Sequence, residues 1–256
     1  MTSITATTTL RWIEVLASLS VMQGTLELLA WRRHLADDGT WRWSTLSREL
    51  RWLAPVLAYR PFVGVLAVRM VSACVLLAGV HGAAAPLLWI TSLLTNIRFR
   101  GSTNGGSDMM LMAVLTALAV AHLGASSPIV VQGALVYVAA QSMMSYFIAG
   151  AVKLINAPWR SGAALASFVA TPHFGTPAVL RRQLTRPALA RLASWAVMLF
   201  ECAFPLALTG PGAAACFLAL AACFHLGNVA AFGLNRFFLA WAASWPAVLF
   251  ASTLVR

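Results

Sequence analysis

Lysine is almost absent from this chain of 256 residues. Its 18 basic Lys and Arg residues include a single lysine, Lys153, and the others are arginines. Charged residues of all kinds make up 10% of the chain, while hydrophobic residues make up 60%. Because about a quarter of an ordinary soluble domain is charged, this scarcity excludes the soluble globular class.

Cysteine and the common catalytic motifs are also scarce. No CxxC pair and no Cys/His spacing predicts a metal site, and we assign the cysteines no disulfide chemistry. The cysteines are Cys74, Cys202, Cys216 and Cys223. The chain has no GxSxG, HExxH, P-loop or paired-glycine dinucleotide fingerprint, which argues against a common hydrolase or a nucleotide-driven pump. We therefore expect neither a metal nor a nucleotide cofactor.

Acidic residues are few, so the formal net charge is +11. The arginines cluster between apolar segments, where the positive-inside rule and anionic lipid headgroups account for them. We therefore expect membrane lipid as a partner and do not expect nucleic acid.

What the sequence does contain is a series of apolar runs. Each is about 18–25 residues long, enough to cross roughly 30 Å of hydrocarbon. They predict an all-α, polytopic transmembrane helical bundle of about eight spans (roughly seven to nine), forming one membrane domain over 1–256. The predicted spans are residues 10–31, 61–81, 83–99, 108–126, 128–150, 190–209, 211–233 and 236–254.

Two polar stretches between spans are long enough to have structure of their own. Residues 32–53 set apolar side chains among arginines, which indicates a helix lying in the membrane interface. These side chains are Trp41, Trp43, Leu46, Leu50 and Leu53. Residues 156–189 contain prolines and arginines and indicate a re-entrant or interfacial excursion. We therefore predict one or two interfacial helices besides the spans.

Lys153 ends a polar stripe on an apolar helix. At 100° per residue, Ser142, Tyr146 and Lys153 fall on one helix face. A lysine at a helix end can reach the headgroups, but so can an arginine, which this chain uses elsewhere. Only lysine can lose its proton near neutral pH when it is desolvated. The stripe thus leaves two interpretations open, a headgroup contact and a functional base.

Further ionisable residues lie in the later spans. Glu201 is in mid-span and is followed by Pro205, which predicts a break in the helix. We expect its carboxylate to be protonated or paired with an arginine, His225 or Lys153. His225 and Asn228 form a second polar stripe, which indicates either hydrogen bonds between helices or a pocket for a polar ligand.

Several polar residues in the first half have simpler interpretations. Arg69 is a charged residue within a span, and Glu14 and Glu27 of the first helix are its candidate partners. His81 and His122 fall near span ends, which is typical of interfacial residues. We assign the two histidines no catalytic role.

The stretch STNGGSDMML, residues 102–111, precedes the fourth span. Ser107 or Asp108 is predicted as the N-cap of the helix that follows. The two glycines before it would also let backbone amides approach a ligand closely.

Two segments resemble one known family. The first is YFIAGAVKLINAPWRSGAAL, residues 146–165, and the second is FHLGNVAAFGLNRF, residues 224–237. They resemble the vitamin K-dependent gamma-carboxylase family and its bacterial relatives, the horizontally transferred transmembrane (HTTM) domains, including the sporulation-delaying protein B type. The matching residues are Tyr146, Phe147, Ala149, Gly150, Lys153, Trp159, Gly162, His225, Asn228, Phe232 and Phe237. Glu201 and the NGGSD turn match more loosely.

The resemblance implies a chemistry. In the carboxylase the matching lysine deprotonates reduced vitamin K, oxygen converts the quinol to an epoxide, and the resulting base takes a proton from a glutamate side chain, to which carbon dioxide adds. It implies a quinol cofactor here, either vitamin K hydroquinone or menaquinol, and hence a prenylated quinone as partner. The implied catalytic residues are Lys153 and His225, and the implied substrate- or quinone-binding residues are Tyr146, Trp159, Asn228, Glu201 and Asp108. It also implies a bacterial plasma membrane location.

Departures from the family narrow what is carried over. Val152 stands where the family has a second lysine, and the large extramembrane domain that recruits carboxylase substrates is missing from this sequence. We therefore expect modification of a peptide or small substrate, with a secreted peptide or a second membrane protein as partner, rather than carboxylation of a folded protein.

Two other functions remain open from the sequence. One is a non-catalytic membrane scaffold, immunity protein or peptide-maturation partner with the same fold. The other is a proton-coupled carrier in which Glu201, His225 and Lys153 form a relay.

Overall fold

The computed structural model describes residues 5–46, 49–99 and 105–255, and all regular secondary structure within them is helical. Helices of membrane-crossing length and apolarity number six in these ranges. They are Ala6–Ala30, Tyr59–Leu77, Gly105–Leu123, Pro128–Ile155, Pro187–Thr209 and Pro211–Phe232. An all-helical chain with six such helices fits a multi-pass membrane protein.

The chain divides into two compact units, Met1–Leu135 with Leu239–Pro246, and Val136–Phe238 with Ala247–Arg256. The helices of the first unit are α1 (Ala6–Ala30), α2 (Arg32–Leu35), α3 (Trp43–Leu46), α4 (Ala54–Leu57), α5 (Tyr59–Leu77), α6 (Ala84–Phe99) and α7 (Gly105–Leu123), with a 3-10 helix at Arg51–Leu53. Helix α1 packs against α5 and α7, and α6 packs against α5 and α7.

The other helices fall wholly or partly in the second unit. They are α8 (Pro128–Ile155), α9 (Ala157–Ser161), α10 (Ala163–Ala170), α11 (Ala178–Leu184), α12 (Pro187–Ala203), α13 (Pro211–Phe232), α14 (Asn235–Ala242) and α15 (Trp245–Ser252), with 3-10 helices at Pro172–Phe174 and Phe204–Thr209. Helix α12 packs against α9, α10 and α11. The predicted break at Pro205 is confirmed, since the α-helix ends at Ala203 and the chain goes on as a 3-10 helix from Phe204 to Thr209.

The predicted count of about eight spans is not confirmed. Helix α6 has 16 residues, too few to span roughly 30 Å at 1.5 Å per residue. The predicted span 236–254 is two helices of eight residues each, α14 and α15. Pro246 follows the break, and because proline lacks an N–H it starts a helix more easily than it continues one.

The predicted interfacial helix at 32–53 is wrong as a single helix. The segment forms the short helices α2 and α3 and a 3-10 helix, and its apolar side chains pack into a core with Leu57, Phe62 and Phe99. Trp43 is 7% exposed there, and Leu50 and Leu53 pack against the same core. The side chain of Leu46 lies outside the described residues.

Arg98 is buried in that aromatic core. Its guanidinium carbon lies 5.4–5.7 Å from the ring centroids of Trp43, Phe62 and Phe99, and it donates to the Trp41 carbonyl at 2.7 Å. Aromatic faces attract a cation, and the carbonyl accepts one of its N–H groups. The charge therefore holds the 32–53 segment against α5 and α6.

Candidate functional site

Lys153 and Glu201 form a buried ion pair in the second unit. Lys153 lies in the last turn of α8, and its Nζ is 2.7 and 2.8 Å from the two carboxylate oxygens of Glu201 on α12. The lysine side chain is 20% exposed and that of the glutamate 4%. Of the partners expected for this carboxylate (an arginine, His225 or Lys153), the structure shows Lys153. The lysine side chain is thus partly exposed, while the glutamate side chain is enclosed.

Gly150 allows the two helices to meet at this pair. A Cβ at this position would lie 2.7 Å from the Cys202 backbone nitrogen and 2.9 Å from the Glu201 Cβ. Real Cβ atoms do not approach other atoms so closely, so a side chain here would push α8 and α12 apart. The glycine of the family-like segment therefore sets the distance between Lys153 and Glu201.

Trp159 borders the amine. Its ring centroid lies 5.5 Å from the Lys153 Nζ, within range of a cation–π interaction. Gly162, in the left-handed conformation with φ of 84°, ends α9. A Cβ there would lie 2.4 Å from the Arg191 backbone nitrogen, so glycine is needed both for the turn and for the contact with α12.

Tyr146 and His225 form a second buried pair. The tyrosine hydroxyl and the His225 Nε2 are 2.7 Å apart, and the two residues are 2% and 1% exposed. Aromatic rings surround them: Phe204 stacks on Tyr146 with centroids 3.9 Å apart, and Phe237 lies 5.5 Å from the His225 ring. The pair can pass a proton between phenol and imidazole out of contact with water.

The two pairs follow one face of α8. Tyr146 and Lys153 are seven residues apart, which is two turns or roughly 10 Å along the helix. Ser142, Tyr146 and Gly150 are buried, whereas Phe147 is 48% exposed. The polar stripe predicted from the sequence is therefore the buried face of the helix. Two acid–base pairs on one helix face can exchange protons with a ligand that reaches that face.

Neither of two further predicted site residues, Asn228 and Asp108, belongs to the two pairs. Asn228 is half-buried on α13, one turn after His225. Asp108 belongs to the first unit, in the first turn of α7, where it is 6% exposed. Since α7 begins at Gly105, Ser107 and Asp108 lie inside the helix, and the prediction of an N-cap at either residue is wrong.

Some residues of the site were not singled out in the sequence. Phe200 and Phe204 both contact Tyr146, and Cys202 faces Gly150. The two phenylalanines are four residues apart and flank Glu201, which places them on neighbouring helix positions. That spacing was a usable signal, but phenylalanine is too common in apolar spans for it to be distinctive.

Comparisons with known protein families, with curated proteins and with solved structures find no match. The resemblance to the carboxylase and HTTM family therefore stays a prediction, supported by its own residues.

Proposed function

We propose that this protein is a membrane enzyme that binds a quinol beside Lys153 and removes a proton from it. One observation carries the proposal: the side chain of Lys153 is 20% exposed, while the Glu201 side chain whose carboxylate it contacts is only 4% exposed. A general base must be reachable by its ligand and needs a group to which it can pass its own proton, and this unequal exposure of the two side chains meets both requirements.

The surroundings of Lys153 suit a prenylated aromatic ligand. Trp159 offers a flat ring beside the amine, and exposed apolar side chains lie on the same part of α8. They include Val152, 55% exposed, and Ile155, 79% exposed. A planar quinol head can stack on such a ring, and an isoprenoid tail suits an apolar helix surface. The residues around Lys153 therefore fit a quinol.

The Lys153–Glu201 pair has no net charge whether the shared proton lies on the amine or on the carboxylate. Burial penalises charged groups, so it narrows the energy gap between an ammonium–carboxylate pair and an amine–carboxylic acid pair. Once Glu201 holds the proton, the lysine is a neutral amine facing the ligand. Arginine at position 153 would keep the ion pair but could not give up its proton.

The quinol would supply the reducing equivalents. When bound, it would supply an oxidation in which dioxygen is the oxidant and quinone epoxide and water are the products. Tyr146 and His225 form a second proton-transfer pair on the same face, and the aromatic rings around them exclude water from it. We assign the further substrate to the class of secreted peptides or other small substrates.

The proposal extends to topology and location. We place the protein in a bacterial plasma membrane and retain about eight membrane-inserted segments, with α6 as one and the α14–α15 pair as another beside the six long helices. A protease-protection or cysteine-labelling map of the loops would count the crossings directly.

Epoxide formation tests the proposal. Purified protein in nanodiscs would be supplied with menaquinol or vitamin K hydroquinone and oxygen, and quinone epoxide would be measured for wild type, Lys153→Arg and Arg181→Lys. We expect Lys153→Arg to lower the rate of epoxide formation at least a hundredfold, which is the scale of general-base catalysis. The melting temperature of this variant should equal that of the wild type. Arg181→Lys, on the exposed part of α11, should match wild type.

Equal rates in wild type and Lys153→Arg would overturn the assignment of the base. Absence of epoxide from folded wild type with both quinols would overturn the enzyme as proposed. That second result would favour a non-catalytic scaffold, for which one observation also speaks: both oxygens of Glu201 contact the Lys153 amine, as in an ion pair that holds two helices together.

A further inference from the structure

A second group of ionisable side chains lies in the first unit, apart from the residues used so far. Glu14 on α1, His81 in the connection between α5 and α6, and His122 near the end of α7 converge there. Among residues 5–46, 49–99 and 105–255, this is the group whose histidine and carboxylate ligand atoms come together in the arrangement a metal ion requires.

The ligand atoms are close to metal-binding separations. The Nε2 atoms of His122 and His81 lie 2.9 and 3.4 Å from different oxygens of Glu14, and one ligand atom from each residue fits within 4.8 Å of the others. Ligands about 2.0–2.1 Å from a tetrahedral zinc ion are roughly 3.3 Å from one another. Small rotations of the side chains would therefore bring all three atoms into coordination.

The carboxylate is held in place by a residue outside the ligand set. Arg11 donates to Oε2 of Glu14 at 2.9 Å and also to the Leu76 and Leu77 carbonyls at the end of α5. These bonds fix the carboxylate plane and direct Oε1 toward His122. A hydrogen-bonded neighbour that orients a ligand in this way is typical of metal centres.

The exposure of the three ligand side chains indicates whether the metal site would be open or closed. Glu14 and His122 are 2% and 8% exposed, but the side chain of His81 is 54% exposed. Three protein ligands on a partly open site leave the fourth tetrahedral position to water or a small anion. The nearby Arg11 charge favours an anion there, because one carboxylate cannot balance a divalent ion and a guanidinium together.

We propose that Glu14, His81 and His122 bind a divalent transition-metal ion of the zinc type at this end of the first unit. Two imidazoles and one carboxylate suit zinc, cobalt, nickel or copper, whereas calcium and magnesium take oxygen ligands. The site is independent of the quinol chemistry proposed for Lys153. It departs from the expectation, drawn from the sequence, that the protein has no metal cofactor and that His81 and His122 are interfacial. The three residues come from distant segments without a common spacing, so no local motif indicated them.

Metal binding to tag-free protein in detergent tests the proposal. After chelation and removal of the chelator, Co²⁺ would be titrated and its visible absorption recorded, and bound Zn²⁺ would be counted by elemental analysis. We expect one ion per chain and intense tetrahedral cobalt bands. His81→Ala, a change at an exposed side chain, should weaken binding at least tenfold.

A matched histidine provides the control. His173 is also exposed, lies in the other unit, and His173→Ala should bind cobalt and zinc as wild type does. Zinc should raise the melting temperature of wild type and His173→Ala but not that of His81→Ala. Failure of wild type to bind one ion, or equal binding by wild type and His81→Ala, would overturn the proposal.

Discussion

Glu14 and Glu201 are buried carboxylates on long apolar helices, and the two units neutralise them differently. Glu201 has a single cationic partner among the described residues, Lys153, which contacts both of its oxygens. Glu14 shares its oxygens among Arg11, His81 and His122. One carboxylate thus depends on one strong contact, and the other on several contacts from different segments.

The difference separates two uses of a buried charge. A carboxylate with one partner can exchange a proton with that partner, since no other group holds it in the charged form. A carboxylate shared among several donors stays a fixed negative centre, which suits a ligand of a cation. The three predictions that follow test this contrast, from the largest expected effect to the smallest.

Removing the single partner should have the largest effect. Lys153→Met leaves Glu201 buried without a cation, and losing one member of a buried pair typically costs about 3–5 kcal/mol of unfolding free energy. The unfolding free energy would be measured in mixed micelles with increasing denaturing detergent. The double variant Lys153→Met with Glu201→Met should recover most of the loss because no charge remains buried. A double variant as unstable as the single one would contradict the dependence on one partner.

Altering the helix contact should have an intermediate effect. Gly150→Ala puts a Cβ within 3 Å of the Glu201 and Cys202 atoms, and overpacking of this kind costs about 1–3 kcal/mol. Gly133→Ala is the matched control on the same helix, since a Cβ there meets no atom within 4 Å. The control should gain roughly 0.5–1 kcal/mol, as alanine usually does over glycine in a helix. Equal stability of the two variants would show that α8 and α12 are not held at this distance.

Removing one of several partners should have the smallest effect. Arg11→Gln removes the charge beside Glu14 but leaves His81 and His122 on that carboxylate, and its amide can still donate to the Leu76 and Leu77 carbonyls. Because Arg11 is 40% exposed, its ion pair with Glu14 is worth about 0.2–1 kcal/mol. The measurement is the same unfolding free energy, with Arg11→Lys as the variant that keeps the charge. A loss as large as that of Lys153→Met would show that Glu14 also depends on one contact.

The sequence predicted the parts of the fold that follow from local apolarity. Six of the eight predicted apolar spans are helices of membrane-crossing length, and Pro205 predicted the end of α12. The segment 32–53 could not be read in this way. Its amphipathic composition fits a membrane surface and a protein core equally well. The core is completed by Phe62, Phe99 and the cation of Arg98, which lie outside the 32–53 segment in the sequence.

The candidate site was predictable where its residues share one helix. The spacing of Ser142, Tyr146 and Lys153 placed them on one face, and the rarity of buried charge in apolar helices made Lys153 one of three candidate partners for Glu201. The contact of Tyr146 with His225 crosses 79 positions and has no local signature. The meeting of Glu14 with His122 crosses 108 positions and was missed for the same reason.

The ion pair of Lys153 also has consequences for biogenesis. The lysine is synthesised 48 residues before Glu201, so α8 must enter the membrane before its counter-ion exists. Lys153 lies two residues from the end of α8, where its amine can extend to the lipid headgroups and lower the insertion cost. Glu201 lies within the membrane-crossing stretch Pro187–Thr209, which continues beyond the end of α12, and its shorter side chain reaches less far. Lys153, whose charge costs less to insert, therefore enters the membrane first. Glu201, whose charge costs more, meets this counter-ion when α12 is inserted.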